Sequence, residues 1–340
     1  MNWLRTLSVL PTHFSDTKKP TIVVAGYGWG THAFVERIDL KKYDVTVVSK
    51  EPHRLNQNQM IGSLNPSYTK SLCPVILDTC MSVDKEKRLL RGLTGAYPYD
   101  YLVIATGSEA NTFGIPGVYK YCQMCKTGDD IKTIRSEVDE GLQEATVLGA
   151  GPTGVELACS LVHHGVPNVR IVEGADTILP GFSETMRKFV YSRLGENRIQ
   201  LFLNRPIQSI TDTTIITKVD GIPYSSNSSL IWTCGIRPVE FVRSLGNGRP
   251  LQVDKHLRYS DTIFALGDSI AGHGPPTAQN ARQQGEYLAA HFNGRLETPY
   301  TYKELGRCLD LGDGLLIEAY DTLVFVPHLF WKEYSMVISN

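Results

Sequence analysis

The sequence predicts an α/β fold made of two Rossmann-like dinucleotide-binding domains, one inserted into the other, and a short C-terminal segment. Three observations predict this fold. An apolar run leads into a glycine-rich turn and a helix-compatible run twice, at residues 21–37 and at residues 145–162. Such strand–turn–helix units build parallel sheets that bind nucleotides at the carboxyl ends of their strands. A further strand at residues 262–266 ends in Gly-Asp, which indicates that the chain re-enters its first domain.

Length and composition narrow the possible functions. The 340 residues suffice for two or three domains with sizeable cores. A net charge of −1, with acidic and basic residues dispersed, leaves no basic face, so nucleic acid is not an expected partner. Residues 1–19 are expected to be a frayed N-terminal tail, with the start of an organellar targeting segment as the alternative. No apolar run reaches the roughly 18 residues of a membrane-spanning helix.

The seven cysteines are irregularly spaced, and no secretory signal precedes them. This usage predicts a reducing compartment rather than a disulfide framework. Cys73 and Cys80 have no histidine or cysteine neighbours at metal-ligand spacing, so both are expected to be small buried residues and no metal site is expected.

The first predicted strand, at residues 21–25, is followed by a glycine-rich turn and a helix. The turn has the sequence Gly26-Tyr27-Gly28-Trp29-Gly30-Thr31. In the dinucleotide fingerprint Gly-x-Gly-x-x-Gly, the third glycine allows close packing of helix and strand. Here Thr31 occupies that position and Gly30 stands one place early. The turn still predicts a nucleotide site, but a less regular one than the second fingerprint.

The next strand, at residues 45–48, ends at Ser49 and Lys50, where a ribose-binding acid is usual. A serine hydroxyl can also bond a ribose, so the specificity of this site stays open. Residues 51–79 show no clear periodicity and are interrupted by prolines, which predicts loops and short helices. A strand at residues 99–105 then ends in a tight Thr106-Gly107 turn.

The second fingerprint follows a buried strand at residues 145–148. Gly149 allows the tight turn, Gly151 lets the backbone approach a pyrophosphate, and Gly154 lets the helix pack closely on the strand. The helix N-terminus supplies free N–H groups to phosphates. Glu173 ends the next strand, 24 positions after Gly149. An acid at this place accepts hydrogen bonds from a ribose and repels a 2′-phosphate, which predicts NAD(H) rather than NADP(H).

The remaining elements predict where each domain begins and ends. Pro116-Gly117 marks a boundary, and a strand that ends at Gly235 closes the second domain. A helix is expected to start at Pro275 and to run to Phe292. The predicted units are an N-terminal tail at 1–19, a first domain at 20–117 and 254–300, an inserted second domain at 118–253, and a C-terminal segment at 301–340.

Taken together, these motifs resemble the type II NADH:quinone oxidoreductases, within the two-dinucleotide-domain flavoproteins. The resemblance covers most of residues 20–310. The stretches that carry it are 26–30, 105–108, 111–113, 115–117, 149–156, 178–182, 264–268, 275–279, Gln283 and 287–289. The Ala278-Gln279 helix that follows Pro-Pro-Thr, with Gln283 one turn further on, is the narrowest of these motifs and favours quinone reductases.

The resemblance implies FAD and NADH as cofactor and substrate, with hydride passing from NADH to the flavin and two electrons passing to a quinone, without proton pumping. Glu156 would lie where nicotinamide and flavin meet, and Gln279 and Gln283 would line the quinone headgroup site. The residues implied to hold FAD are Gly26, Gly28, Trp29, Gly30, Ser49, Thr106, Gly107, Asp268 and Ala278. Those implied to hold NADH are Gly149, Gly151, Thr153, Gly154, Glu173 and Gly235.

Two stretches depart from this family. Residues 50–57 are polar where its members carry an aromatic and apolar run. Its members also continue past residue 340 into amphipathic helices that lie on the membrane. Of residues 323–331, which are apolar and aromatic, we expect a core strand, a membrane contact or a homodimer contact. The expected location is inside the cell, either peripheral on a respiratory membrane such as the mitochondrial inner membrane or in solution.

Two alternative functions stay open. Cys122 and Cys125 form a Cys-x-x-Cys pair before the second fingerprint, as in disulfide reductases of the thioredoxin-reductase type, although 24 residues separate Cys125 from Gly149. The other alternative is a redox-sensing flavoprotein of the apoptosis-inducing-factor type, whose reduced state is a binding signal. No Gly-x-Ser-x-Gly motif or Ser-His-Asp order supports a hydrolase.

Overall fold

The computed structural model describes residues 18–320 and 322–328. The strands of this part of the chain are β1 Thr21–Ala25, β2 Asp44–Ser49, β3 Arg54–Leu55, β4 Tyr68–Thr69, β5 Val75–Leu77, β6 Cys80–Asp84, β7 Leu89–Gly92, β8 Ala96–Pro98, β9 Tyr101–Ile104, β10 Ser108–Ala110, β11 Gln123–Met124, β12 Glu144–Leu148, β13 Asn168–Val172, β14 Gln200–Phe202, β15 Ile207–Ile210, β16 Thr214–Thr217, β17 Gly221–Pro223, β18 Ser228–Trp232, β19 Ile236–Pro238, β20 Arg258–Ser260, β21 Ile263–Ala265, β22 Arg307–Asp310, β23 Gly314–Ala319 and β24 Thr322–Pro327. The helices are α1 Trp29–Arg37, α2 Gln57–Ser63, α3 Val118–Tyr121, α4 Gly128–Asp139, α5 Pro152–His163, α6 Glu184–Glu196, α7 Glu240–Leu245 and α8 Ala278–Phe292, and a 3-10 turn spans Gly267–Ser269.

The larger parallel sheet has the strand order β20-β21-β9-β1-β2-β5. Its neighbours are parallel except β20, which pairs antiparallel with β21 at the edge. The inner strand β1 is almost fully buried, as expected for an apolar strand that is covered on both faces. Leu102 of β9 pairs with Ile263 of β21. This sheet therefore combines strands that precede residues 123–232 in the sequence with strands that follow them.

The second sheet has the order β11-β18-β12-β13-β14, and all its strands are parallel. It is formed entirely from residues 123–232. Helices α4, α5 and α6 contribute their buried apolar residues to one core with β12 and β13. Two parallel sheets, each with a fingerprint turn at the end of an inner strand, confirm the predicted fold class. The domain limits stay a prediction.

A short antiparallel pair joins the two sheets. The chain passes toward the second sheet through β10 and returns through β19, and Ser108 pairs with Pro238. Arg237 of β19 forms an ion pair with Glu109 of β10 at 2.9 Å, and Arg243 of α7 contacts the same carboxylate at 2.8 Å. The two crossings of the chain are therefore paired side by side, close to the Thr106-Gly107 turn.

Helices α1 and α8 pack against each other through glycines. A Cβ atom on Gly285 would lie 2.0 Å from the carbonyl oxygen of Gly30, and one on Gly30 would lie 2.8 Å from that of Ala281. Neither position has room for a side chain. The early glycine of the first turn, Gly30, is therefore required by the packing of these two helices, and its predicted part in FAD binding stays a prediction.

The structure corrects two expectations about elements. Residues 51–79 were expected to form only loops and short helices, but Val75–Leu77 forms β5, an edge strand of the larger sheet. It was missed because it has three residues and Ile76 and Leu77 are exposed, so no buried run marks it. The last long helix begins at Ala278 rather than at Pro275, because the Thr277 hydroxyl accepts the N–H of Asn280 and caps it there.

The C-terminal segment forms an antiparallel meander, β22-β23-β24, in which Leu316 and Val326 are buried. Residues 323–327 of the apolar stretch therefore lie in a strand, whereas residues 329–331 fall outside the described part of the chain, as does most of the predicted N-terminal tail. None of the helices described here is both long enough and apolar enough to cross a membrane.

Candidate functional site

The second fingerprint turn has the geometry that its glycines predict. Gly149 follows β12 with φ +111°, which only glycine adopts readily. A Cβ atom on Gly154 would lie 2.0 Å from the carbonyl oxygen of Gly149, so the helix can approach the strand only without a side chain there. Gly151 is the N-cap of α5 and Pro152 its first residue, which leaves the first N–H groups of the helix free for an anion.

Glu173 lies beside this turn, directly after β13. Its carboxylate accepts the N–H of Ala150 at 2.7 Å and that of Ala175 at 2.7 Å. A carboxylate has about four acceptor positions, so these contacts fix its orientation and leave capacity for ribose hydroxyls. Glu173 and the glycine turn are thus brought together as the sequence predicts.

The segment after β18 lies across from the same turn. Gly235 has φ +66°, and the ring of Phe113 fills the space next to it. Thr233 donates its hydroxyl to the carbonyl oxygen of Leu148 at 2.8 Å and so ties β18 to the start of the turn. Thr153 is partly exposed in the first turn of α5. Sequence reasoning missed Thr233, which only its position two residues before Gly235 could have indicated.

The first fingerprint turn makes its contact between helix and strand in a different way. Gly26 has φ +97°, and a Cβ atom there would lie 2.5 Å from the carbonyl oxygen of Ala105 and 2.7 Å from Cα of Thr106. The turn therefore packs directly against the Thr106-Gly107 turn. Thr31, at the position of the missing third glycine, donates its hydroxyl to the carbonyl oxygen of Gly26 at 2.9 Å. A hydrogen bond thus replaces the close glycine contact that Gly154 makes in the second turn.

Ser49 is buried at the end of β2, and its hydroxyl accepts the N–H of Glu51 at 3.2 Å. The hydroxyl is thus engaged by its own loop. It keeps its donor for a ribose, so its predicted role stays open.

Asp268 belongs to a polar chain that the sequence did not reveal. Its carboxylate accepts the hydroxyl of Ser108 at 2.6 Å, and Ser108 in turn accepts an N–H of the Lys126 ammonium at 3.1 Å. Burial lowers the pKa of Lys126, and the charge of Asp268 opposes this shift. Lys126 follows β11 of the second sheet, whereas Asp268 follows β21 of the first. The polar chain therefore links the segment that follows β11 to the segment that follows β21.

A cavity of about 260 Å³ opens at this polar chain. Its polar lining residues include Ser108, Asp268, Arg237, His273, Asn280 and Gln284. Gln284 is fully buried and accepts the N–H of Gly267 at 2.6 Å, which ties the 3-10 turn to α8. Gly107 donates its N–H to the Ser269 hydroxyl at 3.2 Å, so the predicted residues Gly107 and Asp268 are neighbours.

Glu156 lies on α5 and faces β22. Its carboxyl accepts the N–H of Asp310 at 3.1 Å. Burial raises the pKa of Glu156 to about 8, the Asp310 N–H opposes this shift, and the Asp310 charge adds to it. Burial also raises the pKa of Asp310, which is paired with His328 at 3.2 Å. The thiol of Cys125, the residue before Lys126, is close enough to be affected by the Glu156 charge.

Gln279 and Gln283 both bind the segment that follows α8 toward β22. Gln279 accepts the Tyr302 hydroxyl at 2.7 Å and the N–H of Leu305 at 3.0 Å, and it donates to the carbonyl oxygen of Gly306 at 3.1 Å. Gln283 exchanges two hydrogen bonds with the backbone of Lys303, at 2.8 and 3.0 Å. The two amides therefore act first as supports for residues 302–306, a role that the sequence did not predict.

Cys122 and Cys125 are free thiols on either side of β11. Cys122 packs with the core of β15, β16 and β17, whereas Cys125 lies in the core of α4 and α5. Burial raises the pKa of each thiol to about 12. A thiolate is the reactive form of cysteine, so this geometry gives no support to the disulfide-reductase alternative. Across residues 18–320 and 322–328, no cluster of histidine, cysteine and carboxylate side chains could hold a metal ion.

Comparison with known proteins gives a consistent picture. A family profile described as pyridine nucleotide-disulphide oxidoreductase matches residues 20–285. The external alternative NADH-ubiquinone oxidoreductase of Yarrowia lipolytica mitochondria is 29% identical over 361 residues, covering 84% of this chain and 61% of the relative. The external NADH-ubiquinone oxidoreductase 2 of Saccharomyces cerevisiae mitochondria is 26% identical over 352 residues, covering 82% of this chain and 63% of the relative. The resemblance found in the motifs is thereby confirmed.

The fold also matches a solved structure. NDH2 from Plasmodium falciparum, solved in complex with NADH, superposes with a TM-score of 0.82 and 19% identity, covering 94% of this chain and 95% of that one. At this identity the match confirms the fold alone. The chain spans about three fifths of the length of the curated relatives named above.

Proposed function

Because the chain belongs to the pyridine nucleotide-disulphide oxidoreductase family, we propose that it is an FAD-dependent NADH dehydrogenase that reduces a quinone. The observation that carries this proposal is the pair of fingerprint turns, each placed at the end of an inner parallel strand, with the Lys126–Ser108–Asp268 chain linking the segments that follow β11 and β21. The relatives named NADH-ubiquinone oxidoreductases support the same substrates.

The residues around the first turn fit a flavin nucleotide. The Trp29 indole nitrogen and the Thr106 hydroxyl are buried and have no hydrogen-bond partner among the described residues. Buried polar groups without partners are costly and point to a missing ligand. Both belong to the set that was predicted to hold FAD. When bound, FAD supplies the two-electron chemistry that joins NADH oxidation to quinone reduction.

The side chains of the protein bind, orient and hold protons. The α5 N-terminus takes the diphosphate of NADH, and Glu173 takes its adenosine ribose. Asp268 would hold the flavin through a ribityl hydroxyl, with Ser108 and Lys126 fixing its carboxylate. Glu156 holds a proton at neutral pH because burial raises its pKa to about 8, which suits a group that exchanges protons where nicotinamide and flavin meet. Gln279 and Gln283 support one wall of the quinone site through residues 302–306.

We also propose that the protein works at the mitochondrial inner membrane as a peripheral protein. The mitochondrial names of the relatives support this location. Contact with the membrane surface, and a homodimer, are proposed for the meander β22-β23-β24, where the side chains of Tyr320 and Val324 are exposed.

Anaerobic stopped-flow measurement tests the proposed function. NADH should bleach the flavin absorbance of the purified protein, and a quinone should restore it faster than a disulfide or oxygen does. The variant Asp268→Asn should lose flavin, and the matched exposed variant Asp261→Asn should retain it. Protein that binds no flavin, or flavin that NADH does not reduce, would refute the proposal. Restoration of the flavin absorbance by a disulfide alone would favour the disulfide-reductase alternative. Reduced flavin that quinone, disulfide and oxygen all oxidise slowly would favour the redox-sensing alternative.

A further inference from the structure

Arg54 is a buried cation with unused hydrogen-bond donors. It lies in β3, and only 7% of its surface is exposed. One terminal nitrogen, Nη2, donates to the hydroxyl of Thr69 at 2.8 Å. Nε and Nη1 are buried and have no partner among the described residues. A buried guanidinium with two unused donors is destabilising unless a ligand completes it.

The guanidinium lies at the start of α1. Its central carbon is 3.8 Å from the centroid of the Trp29 ring, and Trp29 is the first residue of this nine-residue helix. Gly28, the N-cap, has no side chain that could bond the first N–H groups, and the first turn contains no acidic residue. The indole nitrogen of Trp29 is also unpartnered. A cation, a positive helix end and a spare indole donor therefore converge on one place.

The charged groups nearby do not neutralise Arg54. Burial lowers its pKa, Tyr27 and Glu36 favour its charge, and Arg282 of α8 opposes it. Glu36 lies 3.5 Å from His32, whose pKa is lowered by burial and by the Arg54 charge. No carboxylate among residues 18–320 and 322–328 is within salt-bridge distance of the Arg54 guanidinium. The site thus carries net positive charge.

We infer that Arg54, stacked on Trp29, binds the diphosphate of the flavin nucleotide at the N-terminus of α1. The inference rests on the proposed function. A diphosphate is the anion that a glycine turn and a helix N-terminus take in a dinucleotide site. A guanidinium adds two parallel donors whose spacing fits a phosphate, which an ammonium cannot do.

This role explains why the chain departs from its family at residues 50–57. Arg54 belongs to that polar stretch, and a short strand pair, β3-β4, holds it in place, since Arg54 pairs with Thr69 in the backbone ladder and its side chain also donates to the Thr69 hydroxyl. In the irregular first fingerprint, Thr31 and Gly30 are used for packing. The cation of Arg54 would then compensate for this irregular turn by adding a contact to the phosphates.

Titration of flavin-depleted protein with FAD tests the inference, with flavin fluorescence as the readout. Arg54→Gln should raise the Kd for FAD at least about tenfold, as expected for the loss of charged hydrogen bonds. Arg54→Lys should give an intermediate Kd, and the matched exposed variant Arg295→Gln should leave it unchanged. ADP, used as a competitor, should lose affinity by a similar factor in Arg54→Gln, whereas adenosine should not.

Melting temperatures separate binding from folding. Without flavin, Arg54→Gln should be at least as stable as the wild type, because an uncompensated buried charge is removed; FAD should stabilise the wild type more than the variant. The inference would be overturned, and the proposed function left intact, if the wild type and Arg54→Gln had equal Kd values for FAD, equal competition by ADP, or an equal rise in melting temperature with FAD. Wild-type protein that binds no FAD would overturn both.

Discussion

At the scale of single residues, the two fingerprint turns show that the third glycine position of the motif can hold either glycine or threonine. Gly154 leaves space for the carbonyl oxygen of Gly149, whereas Thr31 bonds the equivalent carbonyl oxygen of Gly26. The sequence predicted the first arrangement because its glycines follow the standard spacing. It could not predict the second, because a threonine in place of glycine is informative only once the partner carbonyl is known.

Glu156 gives a prediction about pH and stability. Its pKa is raised from 4.5 to about 8 in the folded protein. The protonated acid therefore contributes its full stabilisation below pH 4.5, and this contribution is lost as pH rises through about 8. Relative to Glu156→Gln, the free energy of unfolding of the wild type should fall by at most about 1.4 kcal/mol per pH unit across this window.

Urea unfolding of both proteins at several pH values measures this difference. Other titrating groups affect wild type and variant alike, so the comparison isolates Glu156. Two stability curves that stay parallel from pH 5 to pH 8 would show that the carboxyl titrates normally.

Glu173 gives a prediction about cofactor choice. Its carboxylate would repel the 2′-phosphate of NADPH, so Glu173→Gln should reduce the preference for NADH, measured as the ratio of kcat/KM values, by about tenfold, or about 1.4 kcal/mol. The glutamine keeps an oxygen for the N–H of Ala150 or Ala175. Glu173→Ala should reduce the preference further and loosen the turn. A preference that both variants retain would mean that another group selects NADH.

At the scale of elements, α8 connects more of the molecule than its sequence indicated. Its first turns hold residues 302–306 through Gln279 and Gln283, and Gln284 holds the turn at Gly267. The sequence predicted the helix, its last residue and its glutamines. It did not predict these contacts, because the amides bond backbone atoms whose positions depend on the meander that follows.

The glycine contact between α1 and α8 gives a prediction about stability. Gly285→Ala would place a Cβ atom 2.0 Å from the carbonyl oxygen of Gly30 and force the helices apart. Overpacking of this kind costs about 1–3 kcal/mol. In contrast, Gly195→Ala, at an exposed helix position with open space around it, should be neutral or slightly stabilising.

Thermal unfolding of both alanine variants checks this contact. A melting temperature for Gly285→Ala equal to that of the wild type would show that the two helices can separate at little cost. In that case the early glycine of the first turn would need another explanation.

At the scale of the whole molecule, the sequence predicted the two parallel sheets because each fingerprint turn comes with its own strand and helix. It did not predict the Lys126–Ser108–Asp268 chain, whose members lie after β11, at the start of β10 and in the 3-10 turn after β21. Ser108 follows a predicted turn and could have been considered, but Lys126 has no sequence neighbour that marks it. Contacts between sheets depend on geometry that local patterns do not contain.

The pairing of β9 with β21, and of α1 with α8, has a consequence for how the chain folds during synthesis. The N-terminal part of the larger sheet leaves the ribosome long before Ile263 and Gly285. Until those residues are made, one edge of β9 and the surface of α1 around Gly30 have no partner. Residues 123–232 can meanwhile form their own sheet. Unpaired strand edges of this kind invite association between nascent chains. Chaperone dependence should therefore be concentrated in residues 20–104, which contain β1, α1 and β9, and not in residues 123–232, which are made later but can fold earlier.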